Sequence, residues 1–134
     1  MNIYINIKTW EDACKDQKKN PKGLPDYSKT GMSPAEIRFN LAVFKLCRIL
    51  VSINKEKGKE WKPKPTDMRH YLWAWIKPDK TKRSGFRLSF SAVGYDFSIA
   101  AVASRLTCRD EARVKYVFEQ FPELFEDILI FQNK

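Results

Sequence analysis

The stretch from Ser33 to Gly58 constrains the fold of this chain more than any other. Ser33 is a favoured helix N-cap residue, Pro34 takes the first helical position and Glu36 follows three residues after the cap, which completes a capping box. The sequence over 41–53 is apolar on almost all sides, with its polar residues on a narrow stripe. Other elements must cover a helix of that kind. We therefore expect a long, buried central helix that Gly58 ends as the C′ residue.

Shorter elements are expected at the two ends of the chain. The alternating isoleucines of residues 3–7 indicate a short extended segment or strand. Thr9 is an N-cap residue with Asp12 three positions on, so a short helix should follow it. Asp110 should begin the last helix, in which Pro122 produces a kink or starts a new turn.

The middle of the chain carries the strand patterns. Residues 71–76 are apolar on both faces, with Tyr71, Trp73 and Trp75 on one of them, which predicts a strand covered on both sides. Phe86, Leu88 and Phe90 alternate with polar residues and predict a half-buried strand, so residues 71–91 should form a hairpin. A break is expected at Gly94, and a third strand over residues 99–108.

These elements predict a single α+β domain over residues 1–134, since that length suits one domain. A small antiparallel sheet of about three strands should pack on the long buried helix, with a short N-terminal helix and a kinked C-terminal helix beside it. Cys14, Cys47 and Cys108 are too scattered to form a disulfide framework. We expect three reduced thiols, with Cys47 the slowest to react because it lies in the apolar helix.

The charge of the chain is unevenly distributed. The net charge is +9, and residues 1–109 carry 22 basic and 10 acidic side chains while residues 110–134 carry 3 basic and 6 acidic ones. A basic body favours an anionic partner, either nucleic acid or an acidic protein surface. The alternative is that the lysines serve solubility only.

One basic and aromatic segment, residues 55–87, is the strongest candidate for a binding site. Proteins that bind single strands or RNA combine a basic groove with aromatic platforms on which bases stack. For Trp73 and Trp75 we favour a core position, because the opposite face of their strand is also apolar. Trp61 and Tyr71 are left open between core and platform. The candidate contacts to nucleic acid or to a partner protein are Lys59, Lys62, Lys64, Arg69, Lys77, Lys80, Lys82, Arg83 and Arg87.

Motifs of catalysis are not found in the sequence. It has no Gly-rich phosphate loop, no GxSxG and no Cys/His cluster, and the lone His70 has no second histidine to work with. We therefore expect no enzymatic activity, no cofactor and no metal. The N-terminus does not resemble a signal peptide, and no run reaches the ~18 apolar residues of a membrane span. These features predict a cytoplasmic protein that does not enter a membrane.

Six short motifs lie along most of the chain, in the order Trp10-Glu-Asp-Ala-Cys-Lys15, Leu24-Pro-Asp26, Trp61-Lys-Pro63, Ser84-Gly-Phe86, Ser104-Arg-Leu106 and Glu119-Gln-Phe121. Together they resemble a family of small proteins encoded by phages and prophages of Bacteroidetes. The resemblance implies a phage or mobile-element origin and the cytoplasm of a bacterial host, and it supplies no catalytic residues. The chain departs from the family pattern after Pro25 and across residues 92–103. A partner that binds through those residues could therefore differ from that of the family.

Size, charge and resemblance together predict a non-enzymatic binding protein of phage type. It should engage nucleic acid or a nucleic-acid-handling machine. An anti-defence role, such as inhibition of a CRISPR effector, fits the size and the charge. The alternative is a structural or accessory phage protein that acts through protein–protein contacts. The oligomeric state is left open.

Overall fold

The computed structural model of the protein describes residues 3–64, 66–96 and 106–130. These residues form a 3₁₀ turn at Ile3–Asn6, four α-helices and one two-stranded antiparallel sheet, so the α+β class is confirmed. The elements are α1 (Trp10–Asp16), α2 (Pro34–Ile53), β1 (Arg69–Pro78), β2 (Phe86–Asp96), α3 (Glu111–Gln120) and α4 (Pro122–Leu129). None of the helices in these ranges has the length and apolar character needed to cross a bilayer.

Helix α2 begins where its capping residues predict. The Ser33 hydroxyl accepts the Glu36 N–H at 3.2 Å, and the Glu36 carboxylate accepts the Ser33 N–H at 3.2 Å. Deep burial starts only at Ala42 and is concentrated in the C-terminal half, whereas Phe39 is 43% exposed. The expectation of a long helix buried on most sides is therefore not confirmed, because the buried residues of α2 lie between Ala42 and Ile53 and its main packing partners are α1 and α4.

The prediction that Gly58 ends this helix is wrong. The last helical residue is Ile53, with Asn54 as the C-cap. Gly58 instead lies in a tight turn in which Glu56 and Lys59 exchange two backbone hydrogen bonds of 2.9 and 3.0 Å. Its φ of +76° meets the demand of that turn for a left-handed residue. Gly58 thus meets the backbone requirement of the turn that follows α2, and not that of the helix end.

Two arginine side chains donate hydrogen bonds to backbone carbonyl groups at and just after the end of α2. Arg113 donates through Nε to the Ile53 carbonyl at 2.8 Å, and Arg109 donates through Nη1 to the Lys55 carbonyl at 2.9 Å. Carbonyl groups in the last turn of a helix lack intrahelical partners and favour nearby cations. The first bond joins α2 to α3, and the second joins the connector after α2 to the segment before α3.

The predicted strand at residues 3–7 is wrong. Its described residues form a 3₁₀ turn followed by a bond from the Ile7 N–H to the Tyr4 carbonyl at 3.0 Å. Tyr4 and Ile7, three residues apart, contact the core, while Ile5 is 49% exposed. The hydroxyl of Tyr116 donates to the Ile7 carbonyl at 2.8 Å. A five-residue alternation is too short to separate this spacing of three from the spacing of two in a strand.

The hairpin of β1 and β2 is longer than predicted, and it contains Gly94. The register runs from Arg69 opposite Asp96 to Pro78 opposite Phe86, with a bulge between Trp73 and Ala74 where β2 carries one extra residue. The expected break at Gly94 is therefore wrong. The predicted third strand over residues 99–108 lies mostly outside the described residues.

Helices cover part of one face of this hairpin, which we call the inner face, and leave Ile76 on it 53% exposed. The inner face consists of Leu72, Ala74 and Ile76 on β1 with Leu88, Phe90 and Val93 on β2. Leu72 and Val93 pack against the core, and the rings of Phe90 and Phe118 lie 6.1 Å apart. The bulge places Phe90 and Val93, which are three residues apart, on the same face. The hairpin is thereby fixed to α3 by one side.

Pro122 separates the C-terminal segment into two helices. Helix α3 is capped by Asp110, whose carboxylate accepts the Arg113 N–H at 2.8 Å, and it ends at Gln120. Pro122 then occupies the first turn of α4, where a missing N–H costs nothing. Of the two outcomes expected at this proline, the structure has the new helix and not a kink within one helix.

Thiol reactivity should follow burial in an order different from the one predicted. Cys14 and Cys108 are 0% and 3% exposed, whereas Cys47 is only half-buried. Burial also raises the pKa of the Cys108 thiol, which lowers its thiolate fraction. We expect an excess of a thiol reagent to modify Cys47 first in the native protein, and Cys14 and Cys108 only on unfolding. Mass mapping of the labelled cysteines over time checks this order, and early labelling of Cys14 would contradict it.

Candidate nucleic-acid interface

The hairpin presents a second face that the described helices leave uncovered, and we call it the outer face. Side chains alternate along a strand, and residues opposite each other in the register share a face. The outer face therefore carries Arg69, Tyr71, Trp73, Trp75 and Lys77 on β1, and Arg87, Ser89, Ala92 and Gly94 on β2.

The two central tryptophans of the outer face are exposed. Trp73 is 58% exposed and Trp75 is 62% exposed. The prediction that these residues belong to the core is wrong, because α3 and α4 pack on the inner face of a sheet that has only two strands in the described residues. An exposed patch with large aromatic side chains is a common mark of a binding surface.

Gly94 explains how part of this aromatic row is held. A Cβ atom built on Gly94 would lie 2.5 Å from Cε2 of Tyr71 and 2.6 Å from Nε1 of Trp73. The edges of both rings therefore occupy the space above the glycine, and the ring centroids are 6.2 Å apart. Tyr71 is half-buried by this arrangement, which makes it the support of Trp73 more than a platform of its own.

Large side chains on β1 face small side chains on β2 across the outer face. Trp73 is opposite Ala92, and Trp75 is opposite Ser89. The small residues leave the space beside Trp75 open, since neither a methyl nor a hydroxymethyl group reaches the height of an indole ring. The outer face therefore has small side chains along β2 and large aromatic rings along β1.

Basic side chains stand at both ends of the aromatic row. Lys77 and Arg87 are opposite each other in the register, two residues beyond Trp75, and both are exposed. At the other end Arg69, half-buried, is opposite Asp96 in the register. The structure therefore brings Lys77 and Arg87, which are distant in sequence, into one cationic pair beside exposed tryptophan.

The other predicted basic residues of the hairpin lie in its turn. Lys80, Lys82 and Arg83 are exposed there, and the Lys82 Nζ is 3.6 Å from a carboxylate oxygen of Glu126 on α4. Lys82 and Arg83 also line a cleft of about 400 Å³ together with three acidic side chains of α4, Glu123, Glu126 and Asp127. The acidic helix offsets much of the positive potential of Lys82 and Arg83, so they are weaker candidates than Lys77 and Arg87.

Asp79 shapes the turn of the hairpin. Its carboxylate accepts the Thr81 hydroxyl at 2.6 Å and the Thr81 N–H at 2.9 Å. These hydrogen bonds hold the pKa of the Asp79 carboxyl below its ordinary value. Asp79, the one described acidic side chain between β1 and β2, is therefore held ionised by the turn, and its charge also attracts Arg87 and Lys82.

The predicted lysines before the hairpin occupy the connector between α2 and β1. Lys59, Lys62 and Lys64 are all exposed, and Trp61 between them is half-buried. The Lys64 N–H donates to the Asp67 carboxylate at 2.8 Å, which closes a turn just before β1. These lysines add charge to the approach of the hairpin and are not brought into the aromatic row by any described contact.

His70, at the start of β1, is paired through its backbone with Cys108. Its N–H and carbonyl exchange hydrogen bonds of 2.9 and 2.8 Å with Cys108, and its ring lies 6.1 Å from the ring of Tyr95. Within the described ranges, no three His, Cys, Asp or Glu side chains are grouped so that they could hold a metal ion.

Comparison of the chain with protein-family models, curated proteins and solved structures gave no match. The chemistry of the outer face therefore has to carry the functional argument. Sequence reasoning identified its cations but placed Trp73 and Trp75 in the core. No signal in the sequence would have corrected this, because the small residues Ser89, Ala92 and Gly94 share one face only through the bulge.

Proposed function

We propose that the protein is a non-enzymatic binding protein that engages nucleic acid through the outer face of its hairpin. The observation that carries the proposal is the pair of exposed tryptophans, Trp73 and Trp75, next to the exposed cations Lys77 and Arg87. Aromatic rings offer surfaces on which bases stack, and the cations attract the phosphates that join those bases.

Charge supports nucleic acid over a protein as the ligand. Tryptophan and arginine are also common in protein interfaces, so the aromatic row by itself does not discriminate. The segment from Arg69 to Asp96, however, contains six basic and two acidic residues, so it stays positively charged although Asp79 attracts Arg87 and Lys82. Electrostatic attraction of phosphates supplies most of the sequence-independent affinity for nucleic acid.

The resemblance to small proteins of phages and prophages supports a phage or mobile-element origin. In that setting, a protein that holds nucleic acid could act in an anti-defence role by competing for the nucleic acid of a host machine. An accessory role through protein contacts is the alternative. Affinity capture from a host lysate, with and without nuclease treatment, separates them, because nuclease should remove the partners only when nucleic acid joins them.

A salt titration of a charge variant tests the proposal. We expect Lys77→Ser combined with Arg87→Ser to weaken binding of a fluorescent oligonucleotide, because neither side chain can then pair with a phosphate. The slope of log affinity against log salt should become shallower by roughly one unit for each phosphate that is no longer neutralised. The melting temperature should stay within a few degrees, since exposed substitutions usually change stability by less than about 0.5 kcal/mol each.

A matched control removes the same charge elsewhere. Lys22→Ser combined with Lys29→Ser changes two exposed lysines in the loop between α1 and α2. We expect this variant to keep most of the affinity and the slope of the native protein. Equal reductions of affinity in the two variants would assign binding to net charge and not to the hairpin. Absence of binding to any oligonucleotide at low salt would overturn the proposed function.

A further inference from the structure

We infer, on the basis of the proposed function, that the ligand is single-stranded and that one of its bases inserts between Trp73 and Trp75. The inference rests on the exposure, the spacing and the support of these rings, and it names the class of nucleic acid that the outer face accepts.

Exposure of ring faces selects for unpaired bases. A duplex presents phosphates and the edges of its base pairs, while the faces of its bases are stacked inside the helix. Trp73 and Trp75, at 58% and 62% exposed, offer ring surface and few hydrogen-bonding groups. Ring surface gains affinity from a base whose face is available, which is the condition of a single strand, whether DNA or RNA.

Spacing along β1 suits one base between the two indoles. Trp73 and Trp75 are two residues apart on one strand, so their backbone positions are separated by about 6.8 Å. Stacked bases repeat at about 3.4 Å, and a base between two rings therefore needs about 6.8 Å. Ser89 lies opposite Trp75 in the register, and its small side chain leaves room for the sugar of the inserted nucleotide.

The platform is held before any ligand arrives. The rings of Tyr71 and Trp73 pack over Gly94, so Trp73 is supported by both a neighbouring ring and the backbone below it. A side chain that is already ordered loses less freedom on binding. Lys77 and Arg87, two residues beyond Trp75, are placed to contact the phosphate that follows the inserted base.

Oligonucleotides with abasic sites distinguish the contribution of base stacking to affinity from that of charge, because they keep the phosphates and lack the bases. The experiment compares a 12-nucleotide single strand of DNA, its RNA equivalent, the matching duplexes and a single strand with abasic sites, by fluorescence anisotropy at one salt concentration. We expect the native protein to bind at least one of the single strands about tenfold or more tightly than its duplex, and to bind the abasic strand about tenfold or more weakly. Trp73→Leu combined with Trp75→Leu should bind the intact and abasic strands almost equally.

The control variants keep the outcomes distinct. Trp10→Leu alters a tryptophan outside the hairpin, and it should retain the native preference for intact single strands. If duplex and abasic strand bind as tightly as the intact strand, and the salt slope still depends on Lys77 and Arg87, base insertion is overturned while nucleic-acid binding stands. If no nucleic acid binds, the proposed function fails and this inference fails with it.

Discussion

Replacement of Ile49 by Ala should lower the free energy of unfolding by about 2–5 kcal/mol. Ile49 is 0% exposed and belongs to the buried apolar core of the described residues, on the helix α2 that packs chiefly against α4 and α1. Truncation removes apolar surface and leaves a cavity that its close-packed neighbours cannot fill. Leu46→Ala should have a similar effect, since Leu46 is 1% exposed. Urea unfolding followed by circular dichroism measures both changes.

Phe39→Ala is the matched control on the same helix. Its side chain is 43% exposed, so the decrease in stability should be much smaller than for Ile49, although more atoms are removed. The sequence predicts similar decreases for Leu41 and Phe44 as for Ile49, but both are half-buried and their replacement should cost less. If Phe39→Ala were as destabilising as Ile49→Ala, the burial gradient along α2 would be wrong.

Helix starts were predictable because the signals are local. Thr9, Ser33 and Asp110 each accept a backbone N–H three residues on, as their sequences predict. Such a bond needs no information from the rest of the chain. The end of α2 was not predictable in this way, because the carbonyl of its last residue, Ile53, accepts a hydrogen bond from Arg113, which is 60 residues distant in sequence.

Local sequence patterns also could not predict which face of the hairpin the helices cover. The pattern of β1 predicts a strand, and the strand is present, but the pattern does not state how many layers pack on it. Trp73 and Leu72 are equally apolar in the sequence, yet only Leu72 contacts the core. Coverage depends on where α3 and α4 lie, and the structure places them on the inner face. The candidate interface therefore follows from tertiary packing, while its cations could be identified from sequence.

This arrangement predicts that binding and folding can be separated by mutation. The inner face carries the contacts to α3, whereas the outer face adds little to the core cluster. Variants of Trp75 or Lys77 should therefore alter affinity at nearly constant stability. Variants of Leu72 or Phe90 should alter stability first.

Replacement of Asn54 by Ala should lower the free energy of unfolding by about 2–4 kcal/mol, because two hydrogen bonds that its buried side chain makes to the backbone are lost in one step. The Asn54 Nδ2 donates to the Thr107 carbonyl at 2.9 Å, and its Oδ1 accepts the Arg109 N–H at 3.0 Å. Asn54 is 6% exposed and Thr107 is 1% exposed. Water has little access to replace these hydrogen bonds, so the penalty of unsatisfied polar groups is retained. Thermal and urea unfolding measure the decrease.

Asn40→Ala is the matched control, because Asn40 donates to the Glu36 carbonyl within α2 at 2.8 Å from a half-exposed position. Removal of this bond should cost less than about 1 kcal/mol. The effect of Asn54→Ala should also extend to the hairpin. Asn54 bonds the carbonyl of Thr107, and the next residue, Cys108, exchanges backbone hydrogen bonds with His70 at the start of β1. Hydrogen exchange at the His70 N–H should therefore accelerate in Asn54→Ala and not in Asn40→Ala. Equal stability of the two variants would mean that this buried link does not hold α2 to the hairpin.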